Sequence, residues 1–235
     1  PLFGRFADAV RSLERVIVID DPAPDPQPPI PPGALDYEAL LAPEPETFAF
    51  PALDERSAAM ICYTSGTTGN PKGVVYSHRS TVLHSLAICM ADALGVRESD
   101  VVLPVVPMFH AAAWGLPFAA FMAGSKFVLP GPHLDPTSLL ELMVGERVTL
   151  AAGVPTIWLG ILAMLDQDPK AWDLRSVRSM LIGGAAVPQA MIEGFKKRHG
   201  IEIIQGWGMT EMSPLGTIAR VKHSLRGEGP RPSSR

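Results

Sequence analysis

The run YTSGTTGNPKGVVYSHRS at residues 63–80 decides most of what this chain can be. Thr64, Ser65, Thr67 and Thr68 surround Gly66 and Gly69, and Lys72 and Gly73 follow at once. Small glycines let a backbone approach a ligand closely and present its N–H groups. The hydroxyls add donors, and the lysine adds a mobile full positive charge. A polyphosphate suits that set. A plain Gly/Ser/Thr turn is the competing reading. The lysine, and the preceding apolar run AAMIC, which reads as a buried strand, weigh against it. The run is not a Walker A loop, because no Gly-Lys-Ser/Thr closes it.

Bulk properties exclude several classes. A chain of 235 residues with 47% hydrophobic and 19% charged residues is globular with a sizeable core. The net charge is −4 and the longest basic cluster is Lys196-Lys197-Arg198, so nucleic acid is a poor partner. Cys62 and Cys89 alone cannot make a disulfide framework or a zinc site, and a reducing cytoplasm is the default location. The longest apolar stretch, Ala111 to Gly124, is interrupted by Gly115 and Pro117 and falls short of the ~20 residues of a membrane span. No signal peptide is visible in the first residues, although the chain does not begin with Met.

Residues 22–51 hold ten of the 24 prolines, which predicts an extended surface connector over 21–51. VIVID at 16–20 reads as a strand before it. Strands are expected at 58–63, 101–106, 126–129, 148–152, 178–182 and 201–204. Helices are expected between them at 78–94, 113–123, 136–146, 155–166 and 188–199. Asp135-Pro136 supplies a cap and a first-turn proline, and Pro188 marks another helix entrance. This alternation implies an α/β fold, a mostly parallel sheet with helices on both faces. Ligands gather at the carboxyl ends of strands in such sheets. The phosphate loop follows the first of these strands, IGGAAVP (182–188) the fifth and QGWGMTEMSP (205–214) the sixth.

Together with PMFHAAAWGLPF at 107–118, these segments occur in the order found in the adenylate-forming (AMP-binding) enzymes, and the chain resembles that superfamily. The wording of the phosphate loop and the Trp after PMFH most resemble bacterial fatty-acyl-CoA synthetases. The resemblance implies that residues 57–220 are an AMP-binding core, preceded by a partial leading segment (1–56) and followed by a polar tail (221–235). No TGD-type ribose segment, hinge or C-terminal small domain is recognisable, so the chain is expected to be part of the large N-terminal domain of a longer enzyme.

The activity implied is ATP-dependent conversion of a carboxylic acid to an acyl-adenylate, then to a thioester of coenzyme A, with Mg2+ on the phosphates. ATP, CoA and a small acid are then the partners, and a homodimer is compatible. Residues 64–73, with Lys72, would hold the β- and γ-phosphates. Glu211 matches the family's metal-binding glutamate, and Thr210 would donate to the α-phosphate. Gly183, Gly184 and Ala185 would form a flat wall for adenine. Trp207, flanked by Gly206 and Gly208, would stack on it where the family more often has tyrosine, though a core aromatic is the alternative. His110 either orients the carboxylate or is structural, and His78 is read as structural. Trp114, Phe118 and Phe121 fall at helical spacing, which core packing explains as readily as an acyl pocket. The rival readings are an aryl-acid or amino-acid adenylating enzyme, and a nucleotide-binding module without turnover.

Overall fold

The computed structural model describes residues 9–19, 30–65 and 69–225. The chain divides into two compact units, Pro1–Ala52 and Leu53–Arg235. In the first, strands β1 (Ile17–Val18) and β2 (Leu35–Asp36) pair in parallel, and helix α1 (Tyr37–Leu41) follows, capped by the Asp36 carboxylate. The expected connector thus contains a short strand and helix in its described part; residues 20–29, which hold five of its prolines, lie outside the described residues.

In the second unit, β3 (Ala58–Thr64) and β4 (Lys72–Ser77) form a separate antiparallel hairpin. This corrects the expectation that 58–63 opens the parallel sheet. KGVVYS carries the Val and Tyr residues of a strand, and only its first two residues, Lys72 and Gly73, belong to the expected phosphate loop 64–73. Helix α2 (His78–Cys89) leaves β4 directly, capped by Ser77, whose hydroxyl accepts from the Ser80 N–H at 3.0 Å. The main sheet then assembles from β5 (Val101–Pro104), β6 (Lys126–Phe127), β7 (Leu150–Gly153), β8 (Ser179–Ile182), β9 (Glu202–Gly208) and β10 (Leu215–Ala219). Its order is β10-β9-β8-β7-β5-β6, parallel throughout except for β10.

Strand alternation sends successive side chains to opposite faces, and each face has its own core. Leu103, Ala151, Met180, Ile182 and Ile203 meet one helical layer, formed by α5 (Pro136–Gly145), α6 (Pro155–Gln167) and α7 (Gln189–His199). Trp158 and Phe195 are fully buried there, each contributing roughly 1.5–3 kcal/mol of burial free energy. Val102, Leu150, Ala152, Leu181 and Ile204 meet the other layer, α2 and α4 (Leu116–Ala123). Helices thus cover both faces, as the sequence pattern implied.

The region 111–123 is not one helix. Ala111, Ala112, Ala113 and Trp114 (α3, Ala111–Trp114) all have φ between 46° and 58°, a left-handed turn closed by Gly115 at φ 74°. A regular right-handed helix, α4, begins only at Leu116, and it buries Leu116, Ala119 and Ala120. That change of hand breaks the phase on which the Trp114–Phe118–Phe121 stripe was based.

Candidate active site

A cavity of about 470 Å3 lies where β8 and β9 end and the hairpin comes alongside. Its lining includes Thr64, Ser65, Lys72, His110, Trp114, Gly183, Gly184, Gly206, Trp207, Gly208, Thr210 and Glu211. Residues from four separated motifs are therefore brought together. Gly69 and Ala185 do not line it, and Gly66, Thr67 and Thr68 lie outside the described residues.

The polar walls are joined by a buried tyrosine that the sequence reading did not single out. Tyr76 stands on β4, two alternations beyond Lys72, and its hydroxyl donates to the Thr210 carbonyl at 2.6 Å. Burial, the Cys62 thiol and the Glu211 carboxylate push its pKa up to about 12, so the phenol remains a donor. The bond ties the strand carrying Lys72 to the 3-10 turn Thr210–Met212 carrying Glu211. Alternation with Lys72 was the available signal.

Glycines shape the opposite wall. A Cβ on Gly183 would lie 3.0 Å from the Gly206 carbonyl and 3.3 Å from the Trp114 ring, so the close approach requires glycine. The Trp114 indole therefore rests against the Gly183–Gly184 backbone. Trp207 is 53% exposed and packs on Gly216, where a Cβ would come within 2.8 Å of its ring. It is not a core aromatic. Supported from beneath by Gly216, it is arranged as a stacking platform.

Ile88, Leu94, Leu181 and Leu215 also line the cavity, with Ala111, Met209 and Pro214. The first three belong to the core between the sheet and α2/α4, and Leu215 and Trp114 pack against that core. The cavity thus has an apolar wall of aliphatic side chains, and Ile88, Leu94, Leu181 and Leu215 all come from positions outside the motifs. The expected aromatic pocket is corrected: Phe118 and Phe121 do not line the cavity, and Phe121 is 78% exposed, 6.4 Å from Phe127. Trp114 does line it.

Among the described residues, no three His, Cys, Asp or Glu cluster as a metal cage. Glu211 is exposed beside the polar wall. One carboxylate suits Mg2+, which keeps several waters and takes its other ligands from substrate phosphates. No helix among the described residues is long and apolar enough to cross a membrane.

Comparison with known proteins agrees with this geometry. The medium-chain-fatty-acid–CoA ligase of Ectopseudomonas oleovorans is 50% identical over 79% of the chain and 34% of that protein. The long-chain-fatty-acid–CoA ligase of Thermus thermophilus is 46% identical over 96% of the chain and 39% of that protein. The chain therefore spans a third to two fifths of the length of these relatives. The crystal structure of an anthranilate CoA ligase in complex with anthranoyl-AMP superposes with a TM-score of 0.82 at 26% identity, over 94% of this chain and 41% of that one. The model of the AMP-binding enzyme family matches residues 5–234, and the chain belongs to that family.

Proposed function

We propose that the protein carrying this chain is a fatty-acid–CoA ligase that forms AMP. The observation that carries the reading is the double character of the cavity. Hydroxyls, Lys72 and Glu211 share it with the aliphatic wall of Ile88, Leu94, Leu181 and Leu215.

A carboxylate resists attack because its charge repels nucleophiles and oxide does not leave. The reaction solves this by letting a carboxylate oxygen attack the α-phosphorus of ATP while the bond to the β-phosphate oxygen breaks. A thiol then displaces AMP from the acyl carbon. Positioning and charge stabilisation supply most of the first step. Thr64, Ser65 and Lys72 would hold the phosphates that depart, and Thr210 would donate to the α-phosphate. Glu211 would hold Mg2+, which offsets phosphate charge when bound. Gly183 and Gly184 would flank the adenine with Trp207 on its face. His110, which caps the left-handed turn, would orient the carboxylate, and the aliphatic wall would take the tail. Burial raises both the Cys62 and Cys89 thiols, which suits free cysteines in a reducing cytoplasm.

An aryl acid is the second reading, favoured by the likeness to the anthranilate ligase and by Trp114 and Trp207 in the lining; the aliphatic side chains of Ile88, Leu94, Leu181 and Leu215 weigh against it. Pyrophosphate exchange by the full-length gene product, with a panel of fatty, aryl and amino acids, tests the proposal. Exchange driven best by aliphatic acids is expected. Exchange driven only by aryl or amino acids, or none at all, would overturn it.

A further inference from the structure

His84 lies on α2, is only 8% exposed and does not line the cavity, yet it touches two parts of the cavity wall. Its Nε2 accepts the backbone N–H of Leu215 at 3.3 Å, where β10 begins. The other edge of the ring sits on Gly115: a Cβ there would lie 2.6 Å from both Cε1 and Nδ1. Gly115 closes the left-handed turn that presents Trp114. One helical turn further along α2, Ile88 itself lines the cavity. One buried imidazole therefore braces the backbone beneath Trp114 and the backbone of Leu215, from the helix that supplies Ile88.

We infer that His84 is a positioning residue which sets the spacing of the Trp114, Leu215 and Ile88 walls, and with it the length of aliphatic tail that the cavity accepts. This rests on the ligase reading above. An acceptor is needed at this position, because an aliphatic side chain of similar size would fill the space but leave the Leu215 N–H without its partner. Burial pulls the pKa of the ring down from its ordinary value to about 4, so near neutrality it is uncharged and its Nε2 is free to accept. Of the nucleotide walls, the hairpin that carries Lys72 lies outside this brace, whereas the Gly183–Gly184 wall meets it through the Trp114 ring.

The test uses the full-length gene product with His84→Leu and His84→Gln, the second keeping an acceptor. His84→Leu should shift the ratio of kcat/KM for long against short acids by about tenfold or more, the scale set by one or two methylenes in an apolar pocket. Its KM for ATP should change far less than that ratio, since the hairpin that carries Lys72 is not part of the brace. His84→Gln should restore most of the wild-type profile. Hydrogen exchange of the Leu215 amide should quicken in His84→Leu and not in His84→Gln. Should His84→Leu fail to fold, His84→Asn replaces it with the same expected shift, because its shorter amide draws the acceptor away. An unaltered length profile in a folded, active variant would overturn the inference. So would a KM for ATP that rises in step with that for the acid. Wild-type protein that activates no fatty acid would overturn the ligase reading and this inference with it. That failure is recognisable because the Leu215 exchange difference would persist.

Discussion

Lys72 opens β4 and Glu211 sits in the turn that Tyr76 ties to the same strand, so two opposite charges border one cavity with no direct bond between them. In the proposed mechanism both act on phosphates that leave in the first half-reaction. Lys72→Ala and Glu211→Gln in the full-length protein should each lower adenylation by about a hundredfold or more, as loss of a transition-state charge partner commonly does. Thioester formation from pre-formed acyl-adenylate should fall far less. Separate assays of the two half-reactions check this, and an equal loss in both would remove Lys72 and Glu211 from these roles. Lys72 stands out in the sequence through residue type and local spacing, and Glu211 through the resemblance of its motif to that of the family. Ile88, Leu94 and Leu215 at the cavity, and Tyr76 bonded to the Thr210 carbonyl, do not stand out, because their places depend on which distant segments they meet.

At the scale of elements, the parallel strands and their helices followed from apolar runs and caps, and two departures have physical causes. KGVVYS pairs back on β3 as a hairpin, a choice that pairing partners decide and periodicity does not. The AAAW turn adopts a left-handed conformation that costs roughly 1–2 kcal/mol per non-glycine residue, and nothing in an alanine-rich run announces it. Ala112 is half-buried within that turn. Ala112→Gly should relieve strain and stabilise the protein by about 1 kcal/mol in denaturant unfolding, against the usual penalty for glycine. Destabilisation instead would mean that the surrounding packing, and not backbone preference, fixes the turn.

The opposite end of the sheet is held by a different device. Asp100 is 2% exposed and accepts from Arg178 (2.8 and 2.9 Å), Thr149 and the Arg97 N–H. Arg178 also donates to the Leu94 and Gly95 carbonyls. Burial pushes the Asp100 carboxyl up, but the Arg178 and Thr149 hydrogen bonds and the guanidinium charge outweigh it, so it titrates below its ordinary value. The cluster links the entrances of β5, β7 and β8 to the turn after α2. Arg178→Ala leaves that buried carboxylate with only Thr149, the Arg97 N–H and the exposed Arg97 guanidinium at 4.0 Å, and should cost about 3–5 kcal/mol by thermal or chemical unfolding. A cost under about 1 kcal/mol would show that water replaces the guanidinium freely.

For the molecule as a whole, these two buried groups set the response to acid. His84 has a folded value near 4 against an ordinary 6.5, so the unfolded chain binds the proton more tightly. Its effect on stability is nil above the ordinary value, and stability declines as pH falls from there to the folded value, by at most roughly 3 kcal/mol. Asp100 acts in the other sense: its contribution is complete above the ordinary carboxylate value and is lost only as pH falls further, through its lower folded value. Acid unfolding should therefore begin with histidine and end with aspartate. Unfolding free energies measured across the weakly acidic range should decline in wild type and stay flatter in His84→Gln. Parallel declines would assign that slope to other groups.

The bond between Tyr76 and Thr210 joins positions 134 apart in the chain. During synthesis at about 5–20 residues per second, the strand bearing Lys72 leaves the ribosome on the order of ten seconds before its partner exists. Until then the hairpin has a loop but no opposing wall, while the sheet between them is laid down strand by strand. The cavity is thus among the last features to form, and contacts of such long range are slow to close. A nascent chain halted before β9 would carry the most recognisable motif in the sequence and nothing for it to enclose.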